Sequence, residues 1–400
     1  MATSAPGARR PMSTVSRRRW LRIAGASLGA GALALRDSLA EDAAPAARPS
    51  AEGATARGIF FPREASWYEK ADDLRVKCRL CPRGCEVGNG DRGFCGTREN
   101  REGVYHTLVW GNPCALHDDP VEKKPFFHFR PGTRILSLAT AGCNMACRFC
   151  QNWAISQVRP EETENLRLPP EELVALARRT RCPSIAFTYS EPTVFSEYVR
   201  DTAILAREAG IDTVTVSNGY IERKPMQDLC KVLAAVKIDL KAFTDRFYRE
   251  LCGAEGLAPV LRTIETVAAS GVWLEVVNLV IPTWNDSEAE ARAMARWLVK
   301  SVGKDVPLHF TRFHPTYKLR DLPVTPVKTL ERMREAALAE GLRFVYVGNV
   351  PGHEGENTRC PSCGKVVIRR LGQSVVERNL EVRDGRASCG SCGAAIAGRF

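Results

Sequence analysis

Thr140-Ala-Gly-Cys-Asn-Met-Ala-Cys-Arg-Phe-Cys-Gln-Asn152 follows the apolar run Ile135-Leu-Ser-Leu-Ala139, and this pair of segments decides how the rest of the chain is read. The run has the length and composition of a buried strand. Cys143, Cys147 and Cys150 then place three thiols with C-x3-C-x2-C spacing, so one loop can fold back around an inorganic centre. Thiolates are soft ligands that suit iron–sulfur clusters or zinc. Three of them leave one iron of a [4Fe–4S] cube without a protein donor, and an open coordination position is where a metal does chemistry rather than architecture. The plainer readings are a structural zinc loop with a distant fourth ligand, or three buried thiols packed as small hydrophobes. The strand before the loop and the βα-like units after it favour the cluster.

Outward from this loop, residues 134 to 347 alternate short β-branched runs with amphipathic helical stretches, the pattern of repeated βα units. Strands are expected at Ile135–Ala139, Ser184–Thr188, Asp212–Ser217, Ala235–Leu240, Trp273–Val280, Leu308–Phe313 and Arg343–Val347, with helices such as Glu171–Arg179, Phe195–Glu208 and Glu288–Lys300 between them. The expected fold class is α/β: six or seven such units make a parallel, TIM-like, barrel-like sheet. In such a barrel, chemistry collects on the loops leaving the C-terminal strand ends.

Polar residues stand at those ends. After the second strand comes Thr188-Tyr-Ser-Glu-Pro192, where the Glu191 carboxylate could accept hydrogen bonds from an ammonium group and Pro192 suits the first turn of a helix. Ser217-Asn-Gly219 closes the third strand with a hydroxyl and an amide for a carboxylate or ribose. In Lys237-Ile-Asp-Leu-Lys241, Asp239 and Lys241 share a face, because strand side chains have period two; they could clamp a ligand or form a rim salt bridge. Arg312 and His314 could face an anionic group or form a structural pair. His128, between aromatics, reads as a packed residue, while the neighbouring Glu122, Lys123 and Lys124 could line a site.

Of fifteen cysteines, eight more fall into two groups. Cys78, Cys81, Cys85 and Cys95 form a small knuckle whose metal is either zinc or a second iron–sulfur cluster. Cys360, Cys363, Cys389 and Cys392 form two C-x2-C knuckles, a zinc-ribbon or rubredoxin-like pattern. Four thiolates leave no open position, so this last site reads as structural. Cys114, Cys182, Cys230 and Cys252 are scattered.

The chain is long enough for two or three domains and a large core. Its formal charge is +11, but seven arginines and a single acid, Asp37, fall in residues 1–40; the remainder is only mildly basic, and nucleic acid is not the expected partner. Ser16-Arg-Arg-Arg-Trp-Leu-Arg22 resembles the twin-arginine export motif, and the run 23–35 that follows is too short to span a bilayer. Export to the periplasm or cell envelope is therefore expected, with a cytoplasmic location as the alternative. The expected organisation is a signal at 1–40, a linker at 41–75, a Cys-rich segment at 76–132, the barrel at 133–350 and a four-cysteine ribbon at 351–400.

With all three cysteine groups placed, the stretch from Val76 to Leu371 resembles the radical S-adenosylmethionine (SAM) enzymes of the AmmeMemoRadiSam system, which are similar to pyruvate formate-lyase activating enzymes. The resemblance rests on Cys78-Arg-Leu-Cys-Pro-Arg-Gly-Cys85, on Thr140-Ala-Gly-Cys143 through Cys150-Gln-Asn-Trp153, on Tyr189-Ser-Glu-Pro-Thr193 and on His309-Phe-Thr-Arg-Phe-His-Pro315. It implies a partial (β/α)6 TIM-like barrel, a [4Fe–4S] cluster on Cys143, Cys147 and Cys150, SAM as cofactor, a low-potential electron donor and hydrogen-atom abstraction. The substrate implied is a glycine of a partner protein, as for the activases of that class, or a small molecule. Glu191 occupies the place of the superfamily's Gly-Gly-Glu stretch, which binds the methionyl amine; Tyr189 and Ser190 replace the glycines. Glu191, Ser217, Asn218, Asp239 and Lys241 are the expected SAM contacts. The competing expectation is an exported iron–sulfur electron-transfer protein without radical chemistry.

Overall fold

The computed structural model describes residues 56–400; the expected export motif and the first part of the expected linker lie outside the described residues. The centre is an eight-stranded sheet. Its strands are β1 (Ala115–Pro120), β2 (Arg134–Ala139), β3 (Ser184–Phe187), β4 (Asp212–Ser217), β5 (Ala235–Asp239), β6 (Trp273–Val280), β7 (Leu308–Arg312) and β8 (Val345–Gly348), side by side in chain order. β2 to β8 are parallel; β1 pairs antiparallel with β2, Asp119 opposite Ile135. β1 and β8 are the outer strands, so the sheet is open, and its parallel set has seven members. β3 is buried at every position and β5 at all but the last, which is what a parallel sheet covered on both faces requires.

The helices between strands carry their own stop and start signals. Pro170–Arg179 begins on a proline, has Glu171 and Glu172 in its first turn and Arg178 and Arg179 in its last, and buries Leu173, Val174, Leu176 and Ala177. Proline preset for the first turn and charges opposed to the helix dipole act together here. The expected helices at 195–208 and 288–300 are Ser196–Glu208 and Glu288–Ser301.

Residues 63–70, expected within a linker, form the short strands Arg63–Glu64 and Tyr68–Lys70. The first pairs with Val104–Thr107 and the second with Val76–Cys78. Ala65, Val76, Cys78, Leu80, Val87 and Tyr105 give this N-terminal knuckle a small core.

The C-terminal ribbon is a pair of hairpins, Val366–Leu371 with Ser374–Arg378 and Leu380–Arg383 with Arg386–Cys389. Its core is shared: Val367, Ile368, Ala387 and Ile396 pack with Phe127, Phe344 and Tyr346 from the barrel. Arg370 is buried over the Phe127 ring, donates to the Phe127 carbonyl at 2.8 Å and pairs with buried Glu122. Glu122 is therefore committed to the ribbon seam, and Arg369 is taken by Glu377. His128 also belongs to this seam: its ring bridges the Ala397 carbonyl and the Tyr346 hydroxyl. Beneath it, Glu275 near the start of β6 accepts the backbone N–H groups of Phe127 and His128 at 3.0 and 2.8 Å and pairs with His309. This polar network lies near the N-terminal strand ends, the half of such a sheet that serves stability.

Candidate active site

At the opposite strand ends, a cavity of about 430 Å³ is lined by Cys143, Cys147 and Cys150 together with Glu191, Asn218, Asp239 and Lys241. This is a volume suited to a small-molecule ligand. β2 delivers the cysteine loop, β3 delivers Tyr189 and Glu191, β4 delivers Asn218, and β5 delivers Asp239 and Lys241. Sequence positions spread over a long stretch of chain thus converge because parallel strands end on one side.

The cysteine loop is braced from several directions. The N–H groups of Ala146 and Arg148 bond the carbonyls of Cys252 and Leu251 at 2.9 and 2.8 Å, at the end of helix Asp245–Cys252. Arg83, from the N-terminal knuckle, donates to the Asn144 carbonyl. Gly142 has φ +90°, and a Cβ there would lie 2.3 Å from Thr97 Cγ2 and 2.7 Å from the Cys95 carbonyl oxygen, so glycine is required by conformation and by space.

Donors converge on the sulfurs. Cys143 Sγ receives the Met145 N–H at 3.4 Å and the Asn218 amide at 3.8 Å, and Cys150 Sγ lies 3.2 Å from Ser156 Oγ. Burial, reinforced by the Glu191 carboxylate, pushes the Cys143 thiol well up, and burial also raises Cys150. The neighbouring Cys252 thiol draws Cys147 down. Buried thiols of this kind give up their protons to a metal, and hydrogen bonds to the sulfurs are a recognised control on cluster potential. Cys252 does not line the cavity, so among the described residues three cysteines face it and no fourth. That donor set fits a cluster with one iron left for a small ligand.

Glu191 is 2% exposed. Its Oε1 accepts Thr193 N–H at 3.0 Å, Thr193 Oγ1 at 2.7 Å and Ser217 Oγ at 2.7 Å; Oε2 accepts the Asn218 N–H at 2.8 Å. Burial raises its pKa in spite of these donors. The carboxylate caps the turn Pro192–Phe195, and Oε2, with one partner, keeps capacity for an ammonium group. Ser217 is not a cavity residue; its hydroxyl is spent on Glu191. Asp239 lies between two cations, Lys237 and Lys241, the latter at 3.3 Å. Burial works to raise it, but these ammonium groups hold it down at about 2.

Lys123 and Lys124, read from the sequence as able to line a site, do line this cavity; Lys237 and Tyr189 line it as well and were not among the expected contacts. Lys124 is 2% exposed, lies 3.2 Å from the Tyr189 hydroxyl and 4.2 Å from its ring centre, and pairs with Asp119 of β1 at 2.5 Å. Burial pulls its ammonium down to about 8 against the pull of Asp119. Tyr189 also bonds Asp119 through its hydroxyl. Lys237 was legible, since it shares a strand face with Asp239; Asp119 was not, because it sits on an antiparallel edge strand outside the βα pattern. Arg312 is tied to the Thr325 carbonyl at 2.9 Å and His314 is exposed; neither lines the cavity.

The thiols of Cys360, Cys363, Cys389 and Cys392 all come within 4.8 Å of one another, a set that could hold one metal ion. Among the described residues this is the one group of three or more potential ligands set so closely; the other two cysteine groups are wider.

Comparison with known proteins agrees with this geometry. Residues 137–295 match the model of the radical SAM superfamily. An uncharacterized protein of Methanocaldococcus jannaschii, MJ0808, is 47% identical over 334 residues, covering 84% of this chain and 98% of its own. The pyruvate formate-lyase 1-activating enzyme of Escherichia coli K12 is 23% identical over 222 residues, 51% of this chain and 88% of its own. The benzylsuccinate synthase activating enzyme of Thauera aromatica is 22% identical over 187 residues, 43% of this chain and 56% of its own. The chain belongs to the radical SAM superfamily, as an enzyme distantly related to these activating enzymes.

Proposed function

We propose that this chain holds a [4Fe–4S] cluster on Cys143, Cys147 and Cys150, binds SAM in the adjoining cavity and abstracts a hydrogen atom from a glycine of a partner protein. The observation that carries the reading is the single cavity lined by three cysteines and by Glu191, Asn218, Asp239 and Lys241. When bound together, the cluster and SAM supply reductive cleavage of the sulfonium to a 5′-deoxyadenosyl radical. The chain's own residues do the rest. Glu191 receives the methionyl ammonium, Asn218 donates to Cys143 and fixes the loop, and Lys241 with Lys237 sets the charge beside the cluster. Lys123, Lys124 and Tyr189 form the wall nearest β1. The protein substrate is carried over from the low-identity kinship with the two activating enzymes. Zinc is the metal proposed for the ribbon, on its tetrathiolate donor set.

Anaerobic reconstitution with iron and sulfide, followed by dithionite and SAM, tests the reading. Release of 5′-deoxyadenosine is expected, with a cluster signal that SAM alters. Cys147→Ala is expected to lose the central cluster and all SAM cleavage, well over a hundredfold in rate. A cluster that SAM neither perturbs nor is cleaved by would instead mark an electron-transfer protein.

A further inference from the structure

We propose that Cys78, Cys81, Cys85 and Cys95 bind a second, polynuclear iron–sulfur cluster, seated against the loop of the catalytic one. Cys78 ends the strand Val76–Cys78, and its N–H bonds the Cys85 carbonyl at 2.9 Å; Gly84 N–H closes the knuckle on the Cys81 carbonyl at 3.1 Å. Cys95 arrives over the top on the glycine-rich return. A Cβ at Gly93 would meet the Tyr105 hydroxyl at 2.6 Å and the Cys85 sulfur at 3.7 Å, so the missing side chain is what lets this return pass so close. All four are free of disulfides.

Two observations choose between a single ion and a cluster. The ribbon thiols close to single-ion spacing, with Cys360 to Cys392 at 3.7 Å and Cys363 to Cys389 at 3.8 Å. The N-terminal four do not, and a cage of several irons and sulfides is what holds thiolates farther apart. The second observation is Arg98. It is 1% exposed, its Nη2 is 2.6 Å from Glu197 and its Nη1 donates to the Ser66 carbonyl, but its Nε–H has no partner. After Glu197, the groups acting most on this guanidinium are Cys78 and Cys95. A buried donor without an acceptor is costly, and a cluster on the neighbouring cysteines would bring negative charge beside this guanidinium. The site adjoins the active one: the Cys95 carbonyl lies against Gly142, and Cys95 and Cys143 line one cavity of about 750 Å³.

Iron and acid-labile sulfide counts on the anaerobically reconstituted full chain test this. Wild type is expected to bind roughly two to four irons, with matching sulfide, beyond the four of the central cube. The triple variant Cys143→Ser, Cys147→Ser, Cys150→Ser should keep that extra iron and its brown colour while losing SAM cleavage. The double variant Cys78→Ser, Cys81→Ser should lose the extra iron and keep the central cluster's response to SAM. Wild-type iron that stops at about four, or one zinc or one iron without sulfide in the triple variant, would overturn the second cluster and leave the radical SAM reading untouched.

Discussion

Tyr189 shows how much one residue carries here. Its φ is +63°, a left-handed conformation that costs a bulky residue on the order of 1–2 kcal/mol, and it stands where the resembling motif has glycine. The strain is held in place by contacts at both ends: the hydroxyl on Asp119, and the carbonyl accepting from Asn152 Nδ2 at 2.9 Å. The next-but-one residue, Glu191, makes the sharper prediction. Glu191→Gln removes the charge offered to an ammonium and turns an N–H toward one of the groups that now donate to it. We expect SAM affinity to fall at least tenfold, about 1.5–3 kcal/mol for a charge-assisted hydrogen bond, with cluster iron retained; equilibrium binding followed through the cluster's electron paramagnetic resonance checks it. Unchanged affinity would reduce Glu191 to a helix cap. The acid itself was readable from its place after a strand. Its four donors were not, because two come from Thr193 only when the next turn is capped, and the other two, from Ser217 and Asn218, meet it only once two neighbouring strands are set in register.

At the level of elements, the parallel strands announced themselves, since doubly buried strands are short, continuous apolar runs that need no partner to be noticed. β1 did not: Ala115-Leu-His-Asp-Asp-Pro120 is polar because one side of an edge strand faces away from the core, so it reads as a loop. The seam between barrel and ribbon was equally hidden, although it contains His128. Burial presses the His128 imidazole down to about 4, against the pull of Glu275, while the unfolded chain takes up its proton near the ordinary value of 6.5. The folded seam therefore holds a neutral ring. Its contribution is complete above pH 6.5 and is lost as pH falls from there toward 4, up to about 3 kcal/mol. Thermal unfolding scanned across that window should show a steep loss of stability that His128→Gln flattens. An identical slope in both proteins would rule out His128 as the source.

For the molecule as a whole, the ribbon is part of the catalytic chamber and not an appendage. Gln373, at the turn between its first two strands, lines the cavity with Asn349 from the end of β8. The four ribbon cysteines were legible by spacing alone, but the reach of Gln373 was not, because it depends on the Phe127, Tyr346 and Arg370 packing that sets the ribbon's angle. Cys363→Ala should thus act at a distance. We expect it to lower the melting temperature and raise the share of SAM cleaved without substrate turnover several-fold, while central iron stays constant; a coupling ratio equal to wild type would separate ribbon from chamber. If the ribbon takes zinc, as proposed, two nutrient supplies meet in one enzyme. Scarcity of iron would stop it at the start, whereas scarcity of the tail's own ion would leave it able to fire but poorly sealed, wasting a costly sulfonium on stray solvent-borne quenchers.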